Sequence, residues 1–198
     1  MSIEDYFGSW VGLLDLKEAD RILKILITSG KSICPMPKDI FKAFRLCTYQ
    51  DLRLCILGQD PYPQKGVATG LAFANHQDTD QKSLSPSLEI LMESVIDYTV
   101  PHNPLNFDIT LEKWARQGVL LLNSALSCEI GKPGIHTLLW RPFIRNFLKR
   151  LSTTRNGVVY VLMGKQAQSF KDYIDDKFNY IVETPHPAGL ARAHKKLP

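Results

Sequence analysis

The sequence lacks the features that mark several large classes of protein. Its 198 residues include four cysteines, none of which belongs to a CxxC pair. Cys55 lies inside an apolar run, which argues against both a zinc site and a disulfide framework, so we expect a reducing compartment. The longest apolar stretches, such as Ile22–Ile27 and Val119–Leu122, are far shorter than the ~20 residues of a membrane helix, and no signal peptide is visible.

A strong excess of charge of one sign is also absent. The 24 Lys and Arg residues exceed the 20 Asp and Glu residues by four, which is too few to identify a partner. The distribution is uneven, because residues 130–171 contain eight basic residues and no acidic one, whereas residues 75–112 are strongly acidic. The basic region is therefore a candidate surface for a polyanion. For Arg141, Arg145 and Lys149, which share one helical face, a solvated surface is the alternative.

Repeats, low-complexity segments and flexible linkers are absent as well, so we predict one domain over residues 1–198. Four continuous apolar runs predict buried strands of a parallel sheet, over Leu52–Leu57, Val119–Leu122, Val158–Leu162 and Tyr180–Val182. Helical periodicity predicts helices after Ser85-Pro86 and after Thr137, and over Glu18–Thr28, Pro37–Phe44, Ile109–Gln117 and Lys165–Asp175. The predicted fold class is α/β, an open four-stranded parallel sheet with helices on both faces.

Polar residues at the ends of these runs predict where the functional site lies. In an open parallel sheet, ligands bind outside the carboxyl ends of the strands. Asp60, Asn123 and His186 follow three of the runs and would bring a carboxylate, a carboxamide and an imidazole together. With Tyr62 and Phe73 nearby, the set suits a flat heterocycle. Each polar residue also has a structural alternative, a turn residue for Asp60 and Asn123 and a surface histidine for His186.

Five motifs occur in order along the chain, GQDPYP at 58–63, GLAFAN at 70–75, SPSLEIL at 85–91, WARQGVLLLN at 114–123 and HPAGL at 186–190. Through them the chain closely resembles the main uracil-DNA glycosylase family over about residues 34–190. The resemblance implies the same four-stranded parallel α/β fold. It also implies an enzyme that flips uracil out of DNA and hydrolyses its N-glycosidic bond without metal or cofactor. The implied partners are uracil-containing DNA, single- or double-stranded, and a proteinaceous uracil-glycosylase inhibitor. We expect a monomer without membrane contact, cytoplasmic, with a nuclear or viral origin left open.

The resemblance assigns catalysis to Asp60 and His186. Asp60 would position the attacking water and stabilise positive charge on the sugar, while His186 would donate a hydrogen bond to uracil O2. Asn123 would accept from N3–H and donate to O4, a pattern that cytosine lacks. Phe73 would stack on the base, and Tyr62 would press against C5 and leave no room for the methyl group of thymine.

The resemblance also implies residues that contact DNA or support the site. Gln59 would make a contact near the base and the backbone, and Ser87, at a helix start, would hold a phosphate. Leu190, in a predicted loop, would enter the place that the flipped base vacates. Arg192 would add phosphate attraction beside it, and His136 matches a histidine that supports the active site in the family.

The chain departs from the family pattern at several positions. Tyr62-Pro63 replaces the usual Tyr-His, HPAGL replaces HPSPL, and Gly164-Lys165 replaces a Gly-Ser phosphate loop. We expect Lys165 to weaken geometric control of the phosphate and to increase salt sensitivity. The chain ends at Pro198, where relatives continue into a final helix, so a shortened and a naturally minimal form are alternatives. A non-catalytic DNA- or protein-binding descendant is the alternative function, and the lack of GxGxxG or P-loop motifs disfavours a nucleotide-dependent small-molecule enzyme.

Overall fold

The computed structural model describes residues 6–80, 83–96 and 107–193, together with Lys195 and Leu197. Its strands are β1 (Ile33–Cys34), β2 (Leu54–Gly58), β3 (Val119–Asn123), β4 (Cys128–Glu129), β5 (Val159–Met163) and β6 (Tyr180–Thr184). Four of them form a parallel sheet in the order β3-β2-β5-β6. The predicted four-stranded parallel sheet is therefore confirmed.

The helices are α1 (Leu16–Thr28), α2 (Lys42–Leu46), α3 (Pro86–Ile96), α4 (Glu112–Arg116), α5 (Thr137–Thr154), α6 (Lys165–Gln168) and α7 (Pro187–Arg192). Short 3₁₀ turns occupy Gly8–Trp10, Pro37–Asp39 and Lys171–Tyr173. Three consecutive residues of β2, Cys55 to Leu57, are buried, so both faces of this strand are covered. Because neighbouring side chains of a strand point to opposite faces, this burial agrees with a sheet that is flanked by helices on both sides.

Helix ends differ from the predictions where polar groups intervene. Helix α1 begins two residues before the predicted Glu18, because the Asp15 carboxylate accepts the N–H of Glu18 at 3.1 Å and caps the helix. The helix predicted over Ile109–Gln117 is reduced to α4. Its predicted first turn is replaced by a turn in which the Asp108 carboxylate accepts N–H bonds from Thr110 and Lys113.

Two other predicted helices are each divided in two. The segment Pro37–Phe44 contains a 3₁₀ turn and the start of α2, because Phe41 between them has φ −107° and ψ 22°, outside the helical region. The segment Lys165–Asp175 breaks after α6, where Arg141 donates to the Ser169 carbonyl at 3.1 Å and stacks 4.5 Å above the Phe170 ring. Arg141 thus packs against its own chain, which differs from the solvated surface given as the alternative, and its part in a polyanion surface stays a prediction.

Exposure of β6 corrects the prediction that all four strands are fully buried. Tyr180 is 68% exposed and Val182 47% exposed. Among the strands that the structure describes, β6 is hydrogen-bonded to β5 alone, so it is an edge strand of this sheet. The antiparallel pair of β1 and β4 was not predicted, since two-residue strands are too short for a periodicity signal.

The hydrophobic core contains a cluster of aromatic side chains that packs the 3₁₀ turn at Gly8–Trp10 against α2 and α5. Trp10, Phe44 and Phe147 meet edge to face, with ring centroids 5.1–5.7 Å apart. Such pairs stabilise a core beyond the area they bury. Within the described ranges, no helix is long and apolar enough to cross a membrane.

Candidate active site

One cavity at the carboxyl ends of the sheet collects the candidate residues. Gly58 and Asn123 are register partners at the ends of β2 and β3, and Gly164 and Pro185 directly follow β5 and β6. The cavity is lined by Gln59, Asp60, Tyr62, Phe73, Ser87, Asn123 and His186, with apolar neighbours that include Ile40, Leu71 and Leu126. The convergence predicted from the strand ends is therefore present in the structure.

Gly58 makes room for the two residues expected to hold a base. A Cβ atom built on Gly58 would lie 2.6 Å from Asn123 Oδ1 and 2.9 Å from Phe73 Cζ. Both distances are shorter than real Cβ contacts, so any side chain at position 58 displaces one or both groups. The GQDPYP motif contained this residue, but its role follows only from the three-dimensional packing.

Asp60 is held by hydrogen bonds that favour its ionised form. Its Oδ2 atom accepts the backbone N–H of Gly134 at 2.8 Å. Burial raises the pKa of Asp60 above its ordinary value, while the hydrogen bonds from Gly134 and from the Gln59 side chain, and the nearby His186, oppose the rise. Gln59 thus acts on the carboxylate in this structure. Gly134, which the sequence did not single out, fixes one oxygen of Asp60.

His186 is prepared to donate a hydrogen bond as a neutral imidazole. Its Nδ1 accepts the backbone N–H of Ala188 at 3.2 Å, so in the neutral ring the proton lies on Nε2. Burial, assisted by the charge of Arg192, lowers the pKa of His186, and the Asp60 carboxylate opposes this shift. The ring also lies beside Phe73, with centroids 5.9 Å apart.

Gly164 allows the close approach of His186. It has φ +86°, and a Cβ atom there would lie 2.7 Å from His186 Cβ. Its N–H already donates to the Thr184 carbonyl at 2.8 Å. The structure therefore gives Gly164 a packing role beside the imidazole, and its contact with DNA stays a prediction. The adjacent Lys165 is exposed.

Phe73 and Tyr62 form one clamped aromatic unit. Phe73 has φ +67°, a left-handed conformation that strains a bulky residue and is found where the surroundings enforce it. The Tyr62 hydroxyl donates to the Phe73 carbonyl at 3.1 Å, and the preceding Ala72 donates its N–H to Leu121. Burial raises the pKa of Tyr62 to about 12, so the phenol is neutral near pH 7.

The loop at 58–64 is fastened by its backbone carbonyls to the segment at 124–131. Ser124 donates its N–H to Gly58 at 3.0 Å and its hydroxyl to Gln59 at 2.7 Å. Further along, Cys128 donates its thiol to Pro61 and Gly131 its N–H to Pro63. The loop that carries Asp60 and Tyr62 is thus held along most of its length.

His136 belongs to a hydrogen-bonded group next to Gly134. Trp140 Nε1 donates to Ser127 Oγ at 2.8 Å, and Ser127 Oγ lies 3.0 Å from His136 Nδ1. Burial lowers the pKa of His136, so it is uncharged near pH 7. Because Gly134 holds Asp60, this group supports the turn on which the carboxylate depends.

Three of the candidate DNA-binding residues, but not Gly164 or Lys165, line a groove that opens beside the cavity. Its lining includes Ser87, which is buried in the first turn of α3, together with Leu190, Arg192 and Lys195. Leu190 was predicted in a loop, but it belongs to α7 and only 9% of it is exposed. The prediction of an exposed loop leucine is therefore wrong, because this helix turns the side chain toward the protein.

Sequence reasoning missed Asn75, a fully buried residue that joins two of the motifs. Its side chain makes two hydrogen bonds to Ser85, one residue before α3. The signal available in sequence was a carboxamide at the end of GLAFAN, which has no periodicity. Within the described residues, no cluster of three or more His, Cys, Asp or Glu side chains suits a metal ion.

Comparisons with known proteins identify relatives of this chain. The chain is 40% identical over 169 residues to the uracil-DNA glycosylase of varicella-zoster virus, covering 84% of this chain and 53% of that protein. It is 39% identical over 162 residues to that of Borrelia turicatae, covering 81% and 70%, and 38% identical over 168 residues to that of Escherichia coli K12, covering 84% and 71%. The chain thus spans about half the length of the viral relative.

Solved structures support the fold. A mimivirus UNG variant in complex with UGI aligns with a TM-score of 0.79 at 21% identity, covering 95% of this chain and 73% of that one. The UNG of Nitratifractor salsuginis aligns with a TM-score of 0.63 at 22% identity, covering 93% and 82%. The model of the uracil DNA glycosylase superfamily matches residues 44–198. With motifs, cavity and fold in agreement, the chain belongs to the uracil-DNA glycosylase superfamily.

Proposed function

We propose that the chain is an active uracil-DNA glycosylase, which hydrolyses the N-glycosidic bond of uracil in DNA and leaves an abasic site. The observation that carries this proposal is that Asp60 and His186 line the same cavity. Hydrogen bonds donated to Asp60 favour its ionised form. The imidazole of His186 is neutral, with its proton on Nε2. These are the two states that a reaction separating positive and negative charge requires.

The reaction breaks the bond between C1′ of the sugar and N1 of uracil, and it forms a bond from C1′ to a water oxygen. The electron pair of the broken bond leaves with the base, so negative charge collects on O2, where His186 Nε2–H donates to it. Asp60 counters the positive charge on the sugar and takes the proton of the attacking water. Uracil then takes up a proton from solvent, and Asp60 releases the proton it accepted to solvent, which restores the carboxylate.

Base selection follows from the remaining cavity residues. Asn123 offers an acceptor to N3–H and a donor to O4, and a site that leaves such groups unpaired rejects the wrong base. Phe73 supplies a stacking face, and Tyr62 occupies the space beside C5. The hydrogen bond from the Tyr62 hydroxyl to the Phe73 carbonyl holds these two residues together.

The substrate is DNA, single- or double-stranded, bound along the groove that contains Ser87, Arg192 and Lys195. Lys165 contributes phosphate attraction from its exposed position. Leu190 fills the gap left by the flipped base in duplex DNA, which requires its side chain to leave its buried position. The protein acts as a cytoplasmic monomer. A proteinaceous inhibitor is a further partner, because a mimivirus UNG variant similar in fold is solved in complex with UGI.

The test is incubation with a uracil-containing single-stranded oligonucleotide, followed by alkaline cleavage of abasic sites. We expect cleavage by the parent, and single-turnover rates lower by a few powers of ten for Asp60→Asn and His186→Ala, with DNA binding retained. Asp78→Asn is a matched control, because that exposed carboxylate lies outside the cavity. Rates within tenfold of the parent for both site variants would contradict the mechanism. A parent that binds DNA without releasing uracil would identify a non-catalytic descendant.

A further inference from the structure

Cys34 and Cys128 face each other across the short antiparallel pair formed by β1 and β4. They are register partners, and all four cysteines of the chain are free thiols. Residues directly opposite each other in such a pair have Cα atoms about 4.5–5.5 Å apart and side chains on the same face. A disulfide joins residues whose Cα atoms are roughly 4.4–6.8 Å apart. The backbone therefore already holds these two thiols at a separation that a disulfide bridges.

Both thiols also contact the loop at 58–64, which carries Asp60. Cys128 Sγ donates to the Pro61 carbonyl at 3.4 Å. Cys34 Sγ donates to the Gln64 carbonyl at 3.6 Å. Two side chains that reach carbonyls of one short loop lie on the same side of the β1 and β4 pair, in agreement with their register. The two thiols thus hold the loop directly after Asp60 and again at its end.

We propose that Cys34 and Cys128 are a site of reversible oxidation, at which a disulfide forms and loosens the loop that carries Asp60. A disulfide has no S–H group, so both loop carbonyls lose the thiol donors that now hold them. The bond and the loosening are independent of the proposed function, while the expected fall in uracil excision rests on that function. Disulfides in a reducing compartment are usually transient and redox-sensing, and this bond is of that kind.

The oxidant that suits this buried pair is a small peroxide, and hydrogen peroxide completes the reaction. It transfers one oxygen atom to the Cys34 sulfur, which becomes a sulfenic acid, and one water leaves with the Cys34 thiol proton. The Cys128 sulfur then attacks the Cys34 sulfur, so the S–S bond forms while the S–O bond breaks. The departing hydroxide takes the Cys128 thiol proton and leaves as a second water. The two thiols lose two electrons, and one peroxide is reduced.

Burial determines which thiol reacts first and how fast. Cys34 is 3% exposed and lines an open groove beside Lys31 and Lys65, whereas Cys128 is completely buried. Burial raises the pKa of Cys34, and burial, together with Asp60 and Cys34, raises the pKa of Cys128 to about 12. Because the thiolate is the reactive form, the pair reacts slowly near pH 7, and the disulfide forms faster as pH rises.

The experiment treats the reduced protein with hydrogen peroxide at pH values of about 7 and 9. After the oxidant is removed, the intact mass, the crosslinked peptides and the single-turnover rate of uracil excision are measured. We expect a mass lower by two hydrogen atoms, a peptide that joins Cys34 to Cys128 and faster crosslinking at the higher pH. Excision should be about fivefold slower, the size expected for the loss of two weak hydrogen bonds. Dithiothreitol should restore both mass and rate, which separates the disulfide from oxidised methionine.

Each variant is compared with its own reduced form. Cys34→Ser and Cys128→Ser cannot form the bond, so we expect no fall in their excision rates that dithiothreitol reverses. Cys47→Ser is the matched control, because that buried thiol donates to the Thr48 carbonyl and not to the loop. It should therefore respond to peroxide as the parent does.

Absence of the crosslink between Cys34 and Cys128 overturns the proposal, and so does a crosslink that changes the excision rate by less than twofold. A parent that excises no uracil refutes the proposed function instead. Hydrogen exchange of the backbone amides in the loop at 58–64 then decides whether the disulfide loosens the loop. Faster exchange in the disulfide form than in the reduced form supports the proposal, and equal exchange in both forms overturns it.

Discussion

Substitution of Gly58 by alanine isolates the geometry of base recognition from the rest of the fold. The φ of Gly58 lies outside the left-handed region, so the backbone accepts an L-residue, and the conflict comes from two side chains of the cavity. Asn123 Oδ1, 2.6 Å from the added Cβ, must retreat by about 0.8 Å to reach the 3.4 Å at which ordinary contacts begin. Phe73 Cζ, at 2.9 Å, must retreat as well.

The expected loss follows from the two hydrogen bonds that Asn123 makes to the base. Each is worth about 0.5–1.5 kcal/mol, so weakening both costs about 1–3 kcal/mol, or roughly 5- to 150-fold in the rate of uracil excision. A displacement of nearly 1 Å in a positioned group has effects of a similar size. Overpacking lowers the free energy of unfolding by about 1–3 kcal/mol, which corresponds to a fall in Tm of roughly 2–12 °C.

The assay compares single-turnover excision and thermal unfolding of the parent, Gly58→Ala and Gly12→Ala. Gly12 is the control because a Cβ atom there has no neighbour within 4 Å and its φ is not left-handed. We expect Gly12→Ala to match the parent in excision rate. A folded Gly58→Ala protein that excises uracil within threefold of the parent rate would refute the assignment of Asn123 and Phe73 to base binding.

Three further predictions concern the ionisation of Asp60 and His186, the role of Leu190 in duplex DNA, and the recognition of the base by Asn123. Burial raises the pKa of Asp60 and lowers that of His186, and the active form pairs a carboxylate with a neutral imidazole. The excision rate should therefore rise from acid pH and stay level through neutral pH. A rate that falls as pH rises through about 6.5 would show that charged His186 is the active form. Leu190→Ala should lower excision from duplex DNA roughly tenfold more than from single strands at fixed salt, and equal losses on both would remove Leu190 from base flipping. Asn123→Asp should gain cytosine excision, because the new acceptor pairs with the N4 amino group, and its absence in an oligonucleotide assay would contradict the recognition scheme.

The sheet was predictable because β2, in its centre, and β3, at one edge, are both buried on both faces. A continuous apolar run such as Val119–Leu122 is sufficient to locate a strand of this kind, and the strand ends then locate the site. Edge strand β6 shows the limit of that signal, since Tyr180 and Val182 are apolar yet exposed. An apolar run indicates a strand without telling whether a neighbour covers it.

Parts of the site that depend on contacts distant in sequence were not predictable. Gly58 is constrained by Asn123 and Phe73, and Gly134 holds Asp60 from 74 positions away. Contacts between residues so far apart in the sequence leave no local sequence pattern. Leu190 illustrates the same limit, because only the packing of α7 decides whether a leucine near the groove is exposed or buried.

The bonds between the loop at 58–64 and the segment at 124–131 have a consequence for protein engineering. Ser124, Cys128 and Gly131 supply the donors that the loop carbonyls require. A graft of GQDPYP alone onto another sheet would carry the reactive side chains but leave those carbonyls without partners. The two segments form a single transplantable unit, and recombination between homologues should preserve activity when both come from the same parent.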